Sequence, residues 1–550
     1  MTASFRLSFT PTARVWRVVA VVLALAGADA VASTYSSFSN TLEEPTHLAA
    51  GLQWLSAHRY DEDIAEPPLG RIAAAVGPYF DGARSLGSRI PAAEGLRILG
   101  AGAHYRTTLG LARLGELPFF LLLCALAWGW GRRLSDERGA AIAVLLVASN
   151  PNVIAHGGLA TPAIAIAASV TAALLAFAWW LESPVPLSSL ALGVAIGLAC
   201  ATDFGTLAYL GLALPATWAL RRVASARAPL WSEGTRWRVP LAALLTFGSA
   251  ALVVWAVYRF DFGPLADGSW FRVPAPGWFQ GLAAYVRKDP RTYPAFLFGA
   301  LSDYGWWYYY PVALLVKTPL PLMLLSVIGA AAASADLVRR ARWQTLAPLC
   351  GVVAVLAIAA IRGDDSGVGR VLGVFPLLAV TGSYGAVALW ERGARRVPAL
   401  RFCRIAVAAT LGAAVLVPMR AHPDHLAYFN PFAGDNPERL LVAGNLDLGQ
   451  DLYRLGAVMK RMHIETLRLA YFGSAPFDAA GVRNTRLLRP LDRPRGWIAA
   501  SETMLAGVGG DGAYQWLNEL RPVGRVGTSI MLFYVPPIPP IKFVPTRSIR

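Results

Sequence analysis

Val15-Trp-Arg-Val-Val-Ala-Val-Val-Leu-Ala-Leu-Ala-Gly-Ala-Asp-Ala-Val31 is followed shortly by Asn40-Thr-Leu-Glu43-Glu44-Pro-Thr-His47-Leu-Ala-Ala-Gly51. The first stretch approaches the ~20 apolar residues that cross a bilayer. The second is acidic and belongs at or beyond the membrane surface. Ala28 to Ala30 reads Ala-x-Ala, as a signal-peptide cleavage site does. In a chain with many later apolar runs, retention of the helix as an anchor is the expectation.

Those later runs recur throughout. The 550 residues are 55% hydrophobic and 15% charged, with a mean hydropathy of +0.45. A soluble domain carries roughly 25% charged residues. The deficit excludes a disordered protein, a coiled coil and an ordinary cytosolic enzyme. An α-helical polytopic membrane protein with about eleven transmembrane helices is expected. The spans start near Val15, Leu109, Ala140, Leu159, Leu187, Phe204, Pro240, Tyr308, Thr345, Val371 and Phe402. The fifth and sixth meet at Ala201-Thr-Asp203, as two short helices or one broken one.

Fifty Lys and Arg against 34 Asp and Glu give a net charge of +16. The arginines cluster at the ends of apolar runs: Arg132, Arg133 and Arg138; Arg221, Arg222 and Arg227; Arg339, Arg340 and Arg342; Arg392, Arg395, Arg396, Arg401 and Arg404. All fall on one side if the N-terminus is cytoplasmic, as the positive-inside rule requires. No basic patch is interleaved with exposed aromatics, so nucleic acid is not an expected partner. The cysteines, Cys124, Cys200, Cys350 and Cys403, form no CxxC and lie in or beside apolar runs, which argues against a disulfide framework or zinc knuckle.

This orientation makes residues 1–420 a multi-span domain with two large external loops, 33–107 and the aromatic loop 261–307. Residues 421–550 follow as a small external α/β domain. In the tail, Asp447 to Met462 has helical apolar spacing. Thr466 to Phe472, Gly496 to Ala500 and Ser529 to Val535 read as strands, with a short helix near Tyr514 to Leu520. Pro536 to Pro545 is proline-rich and extended.

Six carboxylates, Glu43, Glu44, Asp61, Glu62, Asp63 and Glu66, lie within about one amphipathic helix and its following turn. Adjacent acids at a helix start commonly serve as caps. A partly desolvated carboxylate at the membrane surface can instead accept a proton from a hydroxyl nucleophile. Glu43 and Glu44 suit that role, with His47 one turn on. Lys317 and Arg370 could hold a phosphate, or snorkel to the interface. Trp278 and Trp306 to Tyr310, Tyr309 included, suit an aromatic belt, a polyprenyl groove or a sugar-stacking surface. Asp203 is an acid in an apolar stretch, a functional candidate or a solvated junction residue. Asp364 and Asp365 read as solvated loop acids. Asp447 and Asp451 are explained as well by capping and packing as by catalysis.

Glu43-Glu44-Pro-x-His47-Leu-Ala-Ala-Gly51, followed by Pro67-Pro68-Leu69, resembles the first periplasmic loop of C-type, polyprenyl-phosphate-sugar-dependent glycosyltransferases, including protein O-mannosyltransferases and lipid A aminoarabinose transferases. The resemblance continues in order through Asn150-Pro-Asn-Val-Ile-Ala-His156-Gly-Gly, Gly305-Trp306-Trp-Tyr-Tyr309-Tyr-Pro311, Lys317-Thr-Pro-Leu-Pro321, Gly369-Arg370-Val-Leu-x-Val-Phe-Pro376, Leu426-Ala-Tyr-Phe-Asn430 and Asn445-Leu-Asp447-Leu-Gly449-Gln-Asp451. It implies that Glu43 and Glu44 are the catalytic acidic pair. His47, Glu66, Lys317, Arg370, Trp306 and Tyr309 are the candidate substrate-binding residues.

The sequence departs from that pattern at three places. The first acid of the pair is normally Asp, and Glu43 displaces the carboxylate by about 1.5 Å. The residue before Pro67 is usually His or Lys, and here it is Glu66. The family's acid near Thr161-Pro162, which supports the site or a metal, is missing: residues 139–181 contain no Asp or Glu. Asp61, Asp63 or Glu66 could substitute for it.

The resemblance implies a multi-pass protein of the bacterial inner membrane, N-terminus cytoplasmic and C-terminal domain periplasmic. It would transfer a sugar from a polyprenyl-phosphate donor to a hydroxyl of a glycan, lipid or protein acceptor, with inversion. No cofactor is certain; a divalent metal is the candidate, with no ligands identified. The rival reading is a non-catalytic member of the fold that binds a lipid-linked glycan or a protein partner. A secondary transporter fits poorly, because ionisable residues within the spans are few.

Overall fold

The computed structural model describes residues 12–61, 63–100, 104–225, 239–265, 270–288, 294–363, 365–393, 401–510 and 512–537. Arg6, Glu62, Arg227, Asp364, Arg395, Arg396 and the proline-rich end from residue 538 lie outside them.

Among the described residues, seven helices are long and apolar enough to cross a membrane: Ala13–Ala32, Tyr105–Leu134, Ala163–Glu182, Val239–Val257, Leu320–Arg340, Val374–Arg392 and Arg401–Ala421. The pair Glu137–Ala148 and Pro151–Gly157, bent by 64°, makes an eighth if it counts as one span. The bend has a local cause. Pro151 has no N–H to continue the ladder, and the Asn150 side chain accepts the Asn152 amide instead, starting a new helix.

The expectation of about eleven spans is therefore corrected to seven or eight. The segments near Leu187 and Thr345 form the shorter helices Pro186–Thr202 and Ala347–Arg362, 17 and 16 residues long. At 1.5 Å per residue these fall short of the hydrocarbon thickness. The segment near Phe204 forms Gly205–Ala224, which carries Pro215 inside and ends on Arg221 and Arg222.

Val374–Arg392 runs through the middle of the bundle, buried along most of its length. Its closest neighbour is Leu320–Arg340, and small residues set that approach. A Cβ at Gly329 would lie 1.9 Å from the Thr381 carbonyl oxygen, and one at Gly385 would lie 2.4 Å from the Gly329 nitrogen. Ion pairs stitch the arginine-bearing helix ends together: Arg17 and Arg132 with Glu137, Arg133 with Glu182, Arg138 with Asp136 and Glu391, and Arg342 with Asp336. The acidic segment lies at the opposite end, because it follows the far end of Ala13–Ala32.

At that end the chain forms three loop helices, here α1 (Glu44–Leu52), α2 (Leu69–Phe80) and α3 (Pro91–Gly100). The aromatic loop contains two short antiparallel hairpins, Phe262–Pro264 with Arg272–Pro274 and Ala295–Leu297 with Ala300–Ser302, separated by the helix Pro276–Arg287. The tail carries a five-stranded mixed sheet: β1 (Leu467–Ala470), β2 (Thr485–Leu487), β3 (Gly496–Ser501), β4 (Gly524–Val526) and β5 (Ile530–Val535), in the order β2-β1-β3-β5-β4. β2, β1 and β3 are parallel; β5 runs antiparallel to both of its neighbours. The three expected strands are β1, β3 and β5, and the expected helix is shorter, Leu452–Arg461.

Asp447 and Asp451 hold the tail together. Asp447 accepts the amides of Gly449 and Thr503, and burial pushes its carboxyl up to about 7. Asp451 accepts the amides of Thr528 and Ser529 and pairs with Arg454.

Candidate active site

The site is built around α1. A Cβ at Gly51 would lie 2.0 Å from the Arg71 carbonyl oxygen of α2, and one at Gly95 of α3 would lie 1.9 Å from that of Pro45. Only glycine permits both contacts, and together they hold α1 between its two neighbours. Glu44, the first residue of α1, is fully buried. Arg113 donates to both its oxygens, Nε to Oε1 at 2.8 Å and a guanidinium NH2 to Oε2 at 2.9 Å. The amides of Ala160 and Thr41 complete the shell at 2.9 and 2.7 Å. Burial pushes the Glu44 carboxyl up, but Arg113 and the two amides outweigh it and hold the acid below its usual range. Arg113 also donates to the carbonyls of Tyr35, Phe38 and Ser39. Glu44 thus anchors the loop to the bundle and lines neither cavity described next.

Glu43 is different. It occupies the N-cap position of α1, yet its side chain makes no capping hydrogen bond. Among the described residues its carboxylate has neither a hydrogen-bond nor an ion-pair partner. It is exposed to two adjoining cavities, of about 160 and 330 Å³. The smaller reaches between the membrane helices, with Ile166, Tyr209 and Tyr310 in its wall. The larger is walled by the second hairpin and the tail, through Ala295, Ser302, Val442 and Val508. Both cavities share Glu43, His47, Glu66, Lys288, Ser366 and Arg370.

Behind Glu43 lies a buried network centred on Arg71 of α2. Its Nε donates to His47 Nδ1 at 3.2 Å, and its terminal nitrogens reach Tyr60 Oη, the Asp63 carboxylate at 2.6 Å and Glu66 Oε2 at 2.7 Å. A nitrogen that accepts from a guanidinium is unprotonated, so His47 is neutral. Burial and the Arg71 charge both push its imidazole down. Burial raises Glu66, but the charges of Arg71, Arg370 and Lys288 outweigh it and keep it well below the usual carboxylate range. His47 and Glu66 therefore face both cavities, with Arg71 as their common partner.

Arg370, on the turn Val368–Val371, lines both cavities. Lys317 does not. It is fully buried, and its ammonium donates to the carbonyls of Leu426 and Asn445 at 2.7 and 2.6 Å, beneath the Phe429 ring. The tail docks on the bundle through Lys317, which puts its charge out of a ligand's reach and corrects the phosphate-binding expectation. The cations that do face the helix-side cavity, besides Arg370, are Lys288 and Arg362. Neither stood out in the sequence, where each reads as an ordinary loop or helix-end charge. Tyr309 lines the larger cavity and accepts from Asn445 Nδ2 at 2.8 Å. Trp306 lines neither cavity; its ring packs against the bundle core and its amide donates to Asp365.

Thr161 and Pro162, where the family's acid was expected, line the helix-side cavity without a carboxylate. Asp61 is mostly exposed and bonds to Gln53, and Asp63 serves Arg71. Asp203 does enter the helix-side cavity; it is buried, not solvated. Among the described residues, no group of three or more His, Cys, Asp or Glu side chains is placed to hold a metal ion.

No family model matches this chain, and no curated protein does. Solved structures do. ArnT from Cupriavidus metallidurans bound to undecaprenyl phosphate superposes with a TM-score of 0.51 at 12% identity, over 95% of this chain and 98% of ArnT. The same enzyme in the apo state gives 0.51 at 12% identity, over 94% and 98%. The archaeal oligosaccharyltransferase AglB from Archaeoglobus fulgidus, in complex with an inhibitory peptide and a dolichol-phosphate, gives 0.51 at 12% identity, over 89% of this chain and 69% of AglB. The ordered motifs, the helical bundle and these superpositions together identify a multi-pass membrane protein with the C-type fold of lipid-phosphate-sugar glycosyltransferases.

Proposed function

We propose that this chain is an integral membrane glycosyltransferase that moves a sugar from a polyprenyl-phosphate donor to an acceptor hydroxyl. It acts on the periplasmic side of a bacterial inner membrane, with its N-terminus cytoplasmic. The carrying observation is the unpartnered Glu43 carboxylate, shared by two cavities that also share the cations Lys288 and Arg370. That undecaprenyl phosphate and dolichol-phosphate are bound by ArnT and AglB supports the donor class. The concentration of arginines at the end of the bundle away from Glu43 supports the orientation.

In this reading the donor's head group enters the cavity between the helices, and the acceptor enters the cavity beneath the tail. Glu43 takes the acceptor hydroxyl proton as the oxygen attacks the anomeric carbon. The new C–O bond forms as the bond from that carbon to the phosphate oxygen breaks on the opposite face, so configuration inverts. The departing phosphate keeps the electron pair, and Lys288, Arg362 and Arg370 stabilise its charge. His47 and Glu66, fixed by Arg71, hold the wall beside Glu43.

One feature favours a second reading, a non-catalytic binder of the same fold: Thr161 brings no carboxylate to the cavity wall. The test is purified protein incubated with a panel of polyprenyl-phosphate sugars and candidate acceptors, with and without EDTA and divalent cations. Release of polyprenyl phosphate, lost in Glu43→Gln, supports transfer. Donor binding without release from any member of the panel supports the binder.

A further inference from the structure

We infer that Asp203 and His156 form the sugar-recognition pair of the helix-side cavity, reading hydroxyl groups of the donor's sugar; this rests on the function proposed above. Both line that cavity, and both are more than nine-tenths buried. They come from separate elements: Asp203 from the break between Pro186–Thr202 and Gly205–Ala224, His156 from the short arm Pro151–Gly157 of the bent pair.

Neither side chain is accounted for by packing. Among the described residues, His156 has no hydrogen-bond partner on either ring nitrogen, and its Nε2 is sealed from solvent. Buried polar groups in folded proteins are nearly always satisfied, so one that is not calls for a missing partner. The ring is held in place by close approach: a Cβ at Gly369 would lie 2.6 Å from His156 Cε1. Asp203 caps the following helix with one oxygen, which accepts the Gly205 amide at 2.6 Å. Its second oxygen has no partner among the described residues. A cap needs only one acceptor and no charge, and Ser, Thr or Asn would serve equally. Arg370 and Arg362 stand in the same cavity as opposite charges for this buried carboxylate, and its second oxygen is left open to a hydroxyl donor.

The chemistry selects the ligand. A carboxylate oxygen accepts from hydroxyls and repels phosphate, so Asp203 marks the sugar rather than its leaving group. A neutral imidazole offers one donor and one acceptor, the complement of a hydroxyl that does both. Tyr209 and Tyr310 in the same wall add ring faces suited to a pyranose or furanose. The cations Lys288, Arg362 and Arg370 remain for the phosphate.

The experiment uses the full-length protein in detergent or nanodiscs. Affinity is measured for undecaprenyl phosphate and for whichever undecaprenyl-phosphate sugar the wild type turns over or binds best. Asp203→Asn keeps the capping oxygen; His156→Phe keeps the ring against Gly369. Each variant should weaken the sugar-bearing lipid on the order of ten- to a hundredfold, the range for losing a hydrogen bond to a charged or buried polar group. Each should leave undecaprenyl phosphate within about twofold, inside experimental scatter for an untouched contact. Unchanged affinity for both lipids, or equal loss of both, overturns the inference. If Asp203→Asn fails to fold, His156→Phe carries the same contrast. A wild type that binds neither lipid overturns the function proposed above as well, an outcome distinct from variants that fail to discriminate.

Discussion

Arg113 holds both carboxylate oxygens of Glu44 in a fully buried, two-pronged pair, at 2.8 and 2.9 Å. The consequence falls on the residue beside it. With Glu44 tied to the bundle, the Glu43 side chain makes no capping bond and, among the described residues, has no hydrogen-bond or ion-pair partner at the junction of two cavities. Two adjacent acids of one type thus have opposite fates, set by which one meets the guanidinium.

The pair makes the first prediction. Glu44→Gln leaves Arg113 buried with its charge uncompensated, a change that costs about 3–5 kcal/mol. The thermal midpoint should fall accordingly. The pH dependence follows from the direction of the shift. Glu44 and Glu66 are both held below the ordinary carboxylate value of 4.5, so the stability they confer is full above that pH and is lost on acidification below it. A midpoint-against-pH curve of Glu44→Gln should fall less steeply below pH 4.5 than that of the wild type.

Lys317 and Lys288 should separate cleanly. Lys317→Met strands the carbonyls of Leu426 and Asn445, each at a cost of about 1–3 kcal/mol. It should lower stability and leave donor KM unchanged in the protein that survives. Lys288→Ala should leave the thermal midpoint unchanged and raise donor KM by roughly threefold to tenfold, more at low salt than at high. Steady-state kinetics and thermal melts of the two variants, run together, check this.

Gly51 and Gly95 set where α1 sits. A methyl group at either position meets a backbone carbonyl, which no rotamer change relieves. Gly51→Ala or Gly95→Ala should shift α1 by about 1 Å and cut transfer by about 100-fold. Donor binding to Lys288 and Arg370, which lie on other elements, should fall much less.

His425 supplies a pH-dependent stability signal outside the site. Burial, then His422, pushes its imidazole down to about 4, and among the described residues neither ring nitrogen is hydrogen-bonded. The unfolded chain protonates at about 6.5, so stability should decline as pH falls from about 6.5 to about 4. His425→Phe, which gives up no hydrogen bond, should flatten the midpoint-against-pH curve in that window.

Particular residues show what a one-dimensional reading could and could not reach. The apolar runs, the arginine clusters and strands β1, β3 and β5 carry local periodicity and were legible. So was the acidic segment 43–66, because its composition conflicts with the apolar runs around it. The span count was not: Pro186–Thr202 and Ala347–Arg362 are as apolar as true spans, and only their helix ends reveal that they are short. The three-residue strands are too brief to show alternation. Lys317 was misread because its burial depends on a tail that docks more than a hundred residues later. Lys288 and Arg362 were missed for the converse reason: nothing local marks a cation whose partner cavity is assembled by other elements. Asp203 showed its oddity in sequence, but its burial needed the fold.

The most direct test of the central claim is the rate of polyprenyl phosphate release at saturating donor and acceptor, compared between wild type and Glu43→Gln, with Glu44→Gln as the stability control. Loss of a positioned general base should lower kcat by roughly 100-fold or more, with the Glu43→Gln thermal midpoint unchanged and donor affinity retained. A Glu43→Gln protein that releases polyprenyl phosphate at the wild-type rate would contradict the account.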